Sequence, residues 1–222
     1  MKEHNEAVTP TSRYFNIQKI DFDETGYPVM GLPVGYETEQ DPPKGEIDYP
    51  FMTNFEFKLA DAQCVNDNLP DMFSILYSNM NAIMPTGHSY EEDYAVWMNY
   101  AVPALQQENR KVVFFYADGD LIGYFQYRLI TESSTLFMEE MQIRAEFQGS
   151  GVFSAFYSWL VRQLPASIQT VEALAGKPNQ KSQAVLEHLG LQNVGENHTG
   201  KSFHYKGEYA RLLERYLNEK QV

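Results

Sequence analysis

The feature that most restricts the fold is an Asp-Gly pair, Asp118-Gly119, set between two apolar runs, Lys111–Tyr116 and Leu121–Ile130. A two-residue link of this kind needs positive φ, which Gly adopts freely and Asp tolerates, so the runs predict an antiparallel hairpin. A third run, Thr135–Ile143, predicts a further strand. The middle of the chain is therefore a three-stranded block that must be covered on both faces.

The flanks supply the covers. Before the block, Phe55 and Phe57 alternate with Glu56 and Lys58 over 54–59, as in a strand. Met72, Phe73, Leu76, Met80 and Ile83 recur at helical spacing after Pro70. Tyr94, Trp97, Met98, Ala101, Val102 and Leu105 form a second helical stripe. After the block come a glycine turn, a helix from Val152 to about Leu164, a strand over 169–175 and a helix over 181–189 that ends at Gly190. Short strands over 191–195 and 201–206 and an amphipathic helix over 208–220 follow. The expected order is β, α, α, β, β, β, α, β, α, β, β, α, an α/β (α+β) layered domain with a mixed sheet.

Residues 1–50 read as an acidic arm, with ten acidic residues against four basic ones and frequent Gly and Pro. A hairpin is expected there, Tyr14–Asp21 with Tyr27–Met30. Residues 51–222 form the main domain. The arm could cover a cleft, extend the sheet or make a homodimer contact.

The stretch with chemical content joins the strand ending at Ile143 to the helix opening at Val152 through Gln148-Gly149-Ser150-Gly151. The first N–H groups of a helix have no internal partners, and the helix dipole adds positive potential there. Glycines at 149 and 151 let an anion approach the backbone closely. The turn contains no Lys or Arg, so backbone dipoles would supply most of the attraction.

This stretch resembles the pyrophosphate-binding signature of the GNAT superfamily of N-acetyltransferases, in which Gln or Arg is followed by two residues, Gly, one residue, and Gly or Ala. Gln148 and Gly151 match, and Phe153 departs at the last position. A second resemblance lies in Pro178-Asn179-Gln180-Lys181-Ser182 leading to Leu189-Gly190-Leu191, similar to the family's fourth-helix signature. The resemblance implies a mostly antiparallel central sheet with helices on both faces and an N-terminal extension. It implies acetyl-CoA as co-substrate, with Met141, Gln142 and Ile143 along the pantetheine arm. Gln148, Gly149, Ser150, Gly151, Val152 and Phe153 would lie at the diphosphate, and Asn179 and Ser182 beside the cofactor. Asn179 is equally an ordinary N-cap.

For the chemistry, the resemblance points to a carboxylate base on the Thr135–Ile143 strand. Glu139 and Glu140 are adjacent, so a regular strand would turn them to opposite faces, and a bulge would change which one faces a cleft. The position that carries a base in several family members is Phe137 here. Glu172 is a third candidate. Many members place a tyrosine acid where this chain has Leu186, and Tyr205 or water could substitute. Tyr90, Glu91, Glu92, Asp93, Trp97 and Tyr100 could form an acidic, aromatic wall for a cation, or a helix N-terminus and a core stripe.

The expected activity is transfer of an acetyl group to a primary amine of a small, cationic substrate. A non-catalytic acyl-CoA-binding or interaction module is the competing reading. A net charge of −13 argues against nucleic acid as partner. The lone Cys64 precludes an internal disulfide and a thiolate metal cluster, and no histidine spacing suggests a metal. No apolar run is long enough to cross a membrane and no secretory leader is visible, so a cytoplasmic location is expected. Gly195–Ser202 fits the P-loop pattern letter for letter, but an apparent strand follows it, and it reads as a hairpin turn.

Overall fold

The computed structural model describes residues 20–22, 28–30 and 54–217. The chain divides into two compact units, Met1–Tyr49 and Pro50–Val222. In the first, β1 (Ile20–Phe22) pairs antiparallel with β2 (Pro28–Met30). The rest of the expected hairpin, 14–19 and 23–27, lies outside the described residues.

The second unit runs β3 (Phe55–Leu59), α1 (Ala62–Asp67), α2 (Leu69–Asn81), α3 (Tyr90–Leu105), β4 (Arg110–Ala117), β5 (Asp120–Ile130) and β6 (Thr135–Ile143). It continues with α4 (Val152–Leu160), β7 (Thr170–Gly176), α5 (Gln180–His188), β8 (Gln192–Glu196), β9 (Ser202–Glu208) and α6 (Tyr209–Leu217). The order matches the sequence expectation except for α1. That helix is one short stretch capped by Asp61, whose side chain accepts the Cys64 N–H at 2.8 Å. The helix at α4 ends at Leu160, sooner than expected, and hydrogen-bonded turns carry the chain on to Leu164 before Pro165.

The strands form one mixed sheet in the order β3-β4-β5-β6-β7-β9-β8. Every neighbouring pair is antiparallel except β6–β7. The Asp118-Gly119 turn holds both residues at positive φ, 51° and 93°, as a two-residue hairpin requires. Strand β4 is buried on both sides: Val113, Phe115 and Ala117 face one core, and Val112 and Phe114 the other. The first core includes Phe156 and Leu160 of α4, Leu186 of α5, and Leu212 and Tyr216 of α6. The second includes Val65 of α1, Met72 and Phe73 of α2, and Trp97 and Ala101 of α3. The sheet thus has α1–α3 on one face and α4–α6 on the other.

Residues 195–202 form the expected hairpin turn. Strand β8 ends at Glu196 and β9 begins at Ser202, and the Asn197 side chain accepts the N–H groups of Lys201 (3.2 Å) and Ser202 (3.1 Å). A strand follows the glycine-lysine turn where a P-loop needs a helix.

Candidate functional site

The sheet opens at its one parallel seam. Strands β6 and β7 pair only from Thr135–Met138 to Thr170–Ala173, and beyond Met138 they separate. The N–H of Arg144 bonds the carbonyl of Ile122 on β5 at 2.8 Å. Antiparallel alternation therefore turns the backbone polar groups of Met141 and Ile143 away from β5, into the gap. The carbonyl of Ile143 accepts there from Asn79 Nδ2 (3.0 Å) and Gln148 Nε2 (2.9 Å). A cavity of about 540 Å³ fills this opening.

One end of the cavity meets the start of α4. Gly151 is its N-cap at φ 91°, and no side chain caps the helix. Gly149 is also left-handed at φ 86°, and a Cβ at either glycine would meet nothing within 4 Å. Open space before uncapped amides is what a diphosphate needs, so the residues present fit that group. Gln148, Gly149, Val152 and Phe153 line the cavity. Ser150 spends its hydroxyl on the Phe147 carbonyl at 2.7 Å, within the turn. Phe153 lies against Tyr157, with ring centroids 4.7 Å apart, so the larger residue forms part of the wall.

From α5, Asn179 and Ser182 line the same cavity. Asn179 Oδ1 accepts the Ser182 N–H at 2.9 Å, so it is an N-cap whose amide also borders the opening. The same helix brings Lys181, whose ammonium bonds Gln148 Oε1. The Gln148–Gly151 turn thus has a cation beside it after all, supplied from 33 residues along the chain. Spacing within the motif carried no signal for it.

Away from the α4 turn, the cavity is lined by a carboxylate pair. The register of β6 against β5 slips between Gln126 and Tyr127, leaving Glu139 as an extra residue. This bulge puts Glu139 and Glu140 on the same face, whereas a regular strand would have divided them. Glu139 reaches Gln126 and Glu140 reaches Tyr124, and those β5 residues are two apart on one face. Gly123 lies beside the opposite end of this pairing, where a Cβ would come within 2.4 Å of the Gln142 carbonyl.

The two acids have different surroundings. Glu139 accepts from Arg110 Nε (2.5 Å) and Nη2 (2.6 Å) and from Gln126 Nε2 (2.7 Å). Arg128 Nε lies 2.6 Å from its other oxygen. Burial alone would raise its pKa, but these bonds and the two guanidinium charges hold it below the usual carboxylate range. Glu140 accepts from Tyr124 Oη (2.5 Å) and Gln142 Nε2 (3.3 Å). Burial dominates there and pushes its pKa up, against the two hydrogen bonds.

Gln142 also accepts from Asn79 Nδ2 at 2.9 Å, so a polar chain runs from Glu140 through Gln142 and Asn79 to Gln148. Asn79 is a site residue that the apolar stripe of α2 concealed. Tyr205 is not brought to the cavity: it is buried, and its hydroxyl donates to Glu187 of α5 at 3.3 Å. Glu172 is likewise elsewhere, held by His204 (3.0 Å) and Lys206 (2.8 Å). Tyr90, Tyr94 and Trp97 pack against Phe73 of the core, whereas Tyr100 is exposed. Glu92 closes a capping box with Ser89, and Asp93 accepts from Thr86. Among the described residues, no group of three or more His, Cys, Asp or Glu could hold a metal, and no helix is long and apolar enough to cross a membrane.

Residues 72–191 match the model of the acetyltransferase (GNAT) family. The chain belongs to that family. It is an acyltransferase of the GNAT type. Solved GNAT structures share the fold. An acetyltransferase from Thermus thermophilus superposes with a TM-score of 0.56 at 16% identity, covering 71% of this chain and 99% of that one. An aminoglycoside acetyltransferase in complex with coenzyme A gives 0.54 at 15% identity, over 74% and 100%. Spermidine N-acetyltransferase from Vibrio cholerae, with CoA and spermine, gives 0.51 at 11%, over 72% and 98%. No curated protein matches the sequence.

Proposed function

We propose that this chain is an acetyl-CoA-dependent N-acetyltransferase acting on the primary amine of a small molecule. The observation that carries the reading is the single opening between β6 and β7, with uncapped α4 amides at one end and Glu140 at the other. Acetyl-CoA, as co-substrate, supplies an acetyl group activated as a thioester. The amides at Gly149–Phe153 and the ammonium of Lys181 suit its diphosphate. The edge of β6 at Met141 and Ile143 suits an amide-containing arm laid along it.

Glu140 is the group we assign as general base. An amine attacks only when neutral, and a carboxylate whose pKa is raised toward neutrality is a better proton acceptor at physiological pH. The amine nitrogen forms a bond to the acetyl carbon, the carbon–sulfur bond breaks, and the electron pair leaves with sulfur. The proton released from nitrogen passes to Glu140. The departing thiolate, with a thiol pKa of about 8.5, can be protonated by solvent, so no tyrosine acid is required. Glu139, saturated by two arginines, is a positioning group that fixes the bulge.

Calorimetry with acetyl-CoA, followed by thiol release over an amine panel, tests the proposal. Binding with turnover is expected. Absence of binding would overturn it, and binding without turnover on any amine would favour a non-catalytic module.

A further inference from the structure

We infer that the acceptor side of the cavity selects a monoamine carried on an apolar body, and discriminates against diamines and polyamines. The inference rests on the acetyltransferase reading above. A second hollow, of about 280 Å³, shares much of its lining with the main cavity, including Glu140, Leu174, Asn179 and Ser182, but none of the α4 turn, and it extends to Met84 and Pro178. It therefore lies away from the α4 amides, on the side left for an acceptor.

Its walls are mainly apolar, with Asn179 and Ser182 as neutral polar groups beside the carboxylates. Met80 and Ile83, from the end of α2, stand with Met84 on one side, and Leu174 of β7 and Pro178 on the other. These four large hydrophobics are 37%, 42%, 56% and 40% exposed for Met80, Ile83, Met84 and Leu174. Exposed apolar residues gathered at one mouth indicate a binding surface, whereas scattered ones carry no such meaning. Methionines adapt to varied apolar shapes, which suits a range of side groups.

The charges point the same way. Glu139 and Glu140 are the ionisable groups lining this hollow. Glu139 already faces two guanidinium charges, those of Arg110 and Arg128, which leaves Glu140 as the one carboxylate for one amine. A second ammonium on the acceptor would lose water against methionine and leucine and would meet only neutral polar groups, with no second free carboxylate. The acidic run 91–93, the natural place to seek a polycation site, does not line the hollow.

The test compares pentylamine with 1,4-diaminobutane, which replaces the terminal methyl by an ammonium at equal length. Spermidine and the alkylamines from propyl to hexyl complete the panel. With acetyl-CoA saturating, kcat/KM should rise about fourfold for each methylene buried. Pentylamine should exceed 1,4-diaminobutane by at least about tenfold. Met84→Glu should reverse or abolish that preference while CoA affinity, read by calorimetry, stays unchanged. Equal or better turnover of the diamine or of spermidine would overturn the inference. So would a preference unmoved by Met84→Glu, or failure of pentylamine to bind the CoA complex by calorimetry. Loss of CoA binding itself would instead strike the acetyltransferase reading.

Discussion

Replacing Glu139 by Gln should destabilise the domain severely, although the residue is not assigned to the chemistry. Its carboxylate accepts three hydrogen bonds between 2.5 and 2.7 Å and faces a second guanidinium at 2.6 Å. The side chains of Glu139 and Arg110 are each 11% exposed, so solvent screens them little. Two unit charges about 4 Å apart attract by about 4 kcal/mol at an effective dielectric of about 20. Removing the anion also leaves Arg110 and Arg128, which are register partners on β4 and β5, repelling each other. Breaking a buried pair by deleting one partner costs about 3–5 kcal/mol, and that is the loss expected here. For a domain of this size, it corresponds to a fall in Tm of about 10 °C.

Urea denaturation followed by the fluorescence of Trp97 and Trp159 measures the loss. The sign of its pH dependence follows from the lowered pKa of Glu139. The stabilisation is fully present above the unfolded carboxylate value of about 4.3 and disappears as pH falls through the lower folded value, so the two curves converge in acid. Glu140→Gln is the control. Burial already disfavours the charged form of Glu140, so its replacement should change stability by less than about 1 kcal/mol. A loss below about 1 kcal/mol for a folded Glu139→Gln, or no convergence at low pH, would refute the ion-pair account.

Three further outcomes follow from the site. Glu140→Gln should lower kcat/KM about 10²- to 10⁴-fold and remove the acid limb of the pH profile, which in the native enzyme falls as pH drops through the raised pKa of Glu140. Gly151→Glu should weaken CoA binding at least about tenfold by calorimetry, because it forces a side chain into left-handed backbone at φ 91° and sets a carboxylate before the α4 amides. Lys181→Ala should weaken CoA binding several-fold at low ionic strength, and titrations in rising salt should narrow the gap, since the residue is exposed.

Local chemistry made much of this legible in the sequence. Asp118-Gly119 announced a hairpin because few residues tolerate its backbone, and Gln148–Gly151 announced an anion-binding turn for the same reason. Other features depend on contacts distant in sequence. The bulge at Glu139 exists only against β5, so alternation along β6 assigned the two acids to opposite faces. Lys181 reaches Gln148 from another helix, and Asn79 was concealed in an apolar stripe. The run Tyr90–Tyr100 allowed both a cation wall and a core. Tertiary packing selected the core for Tyr90, Tyr94 and Trp97 and a cap for Glu92, because α3 must cover Phe114 and Tyr124, and it left Tyr100 exposed.

The parting of β6 from β7 has a consequence for solubility. A strand that loses its neighbour usually offers a template on which foreign chains can pair and aggregate, and proteins blunt such borders with lysine, proline or added charge. Met141-Gln142-Ile143 carries none of these. Its bare border lies inside the sheet, flanked by Asn79 of α2 on one side and Val152 and Phe153 of α4 on the other. That border is thus walled by helices on both sides, unlike the outer rim of the sheet. Unpaired backbone groups placed there are harder for a foreign strand to reach than the same groups at an outer rim would be.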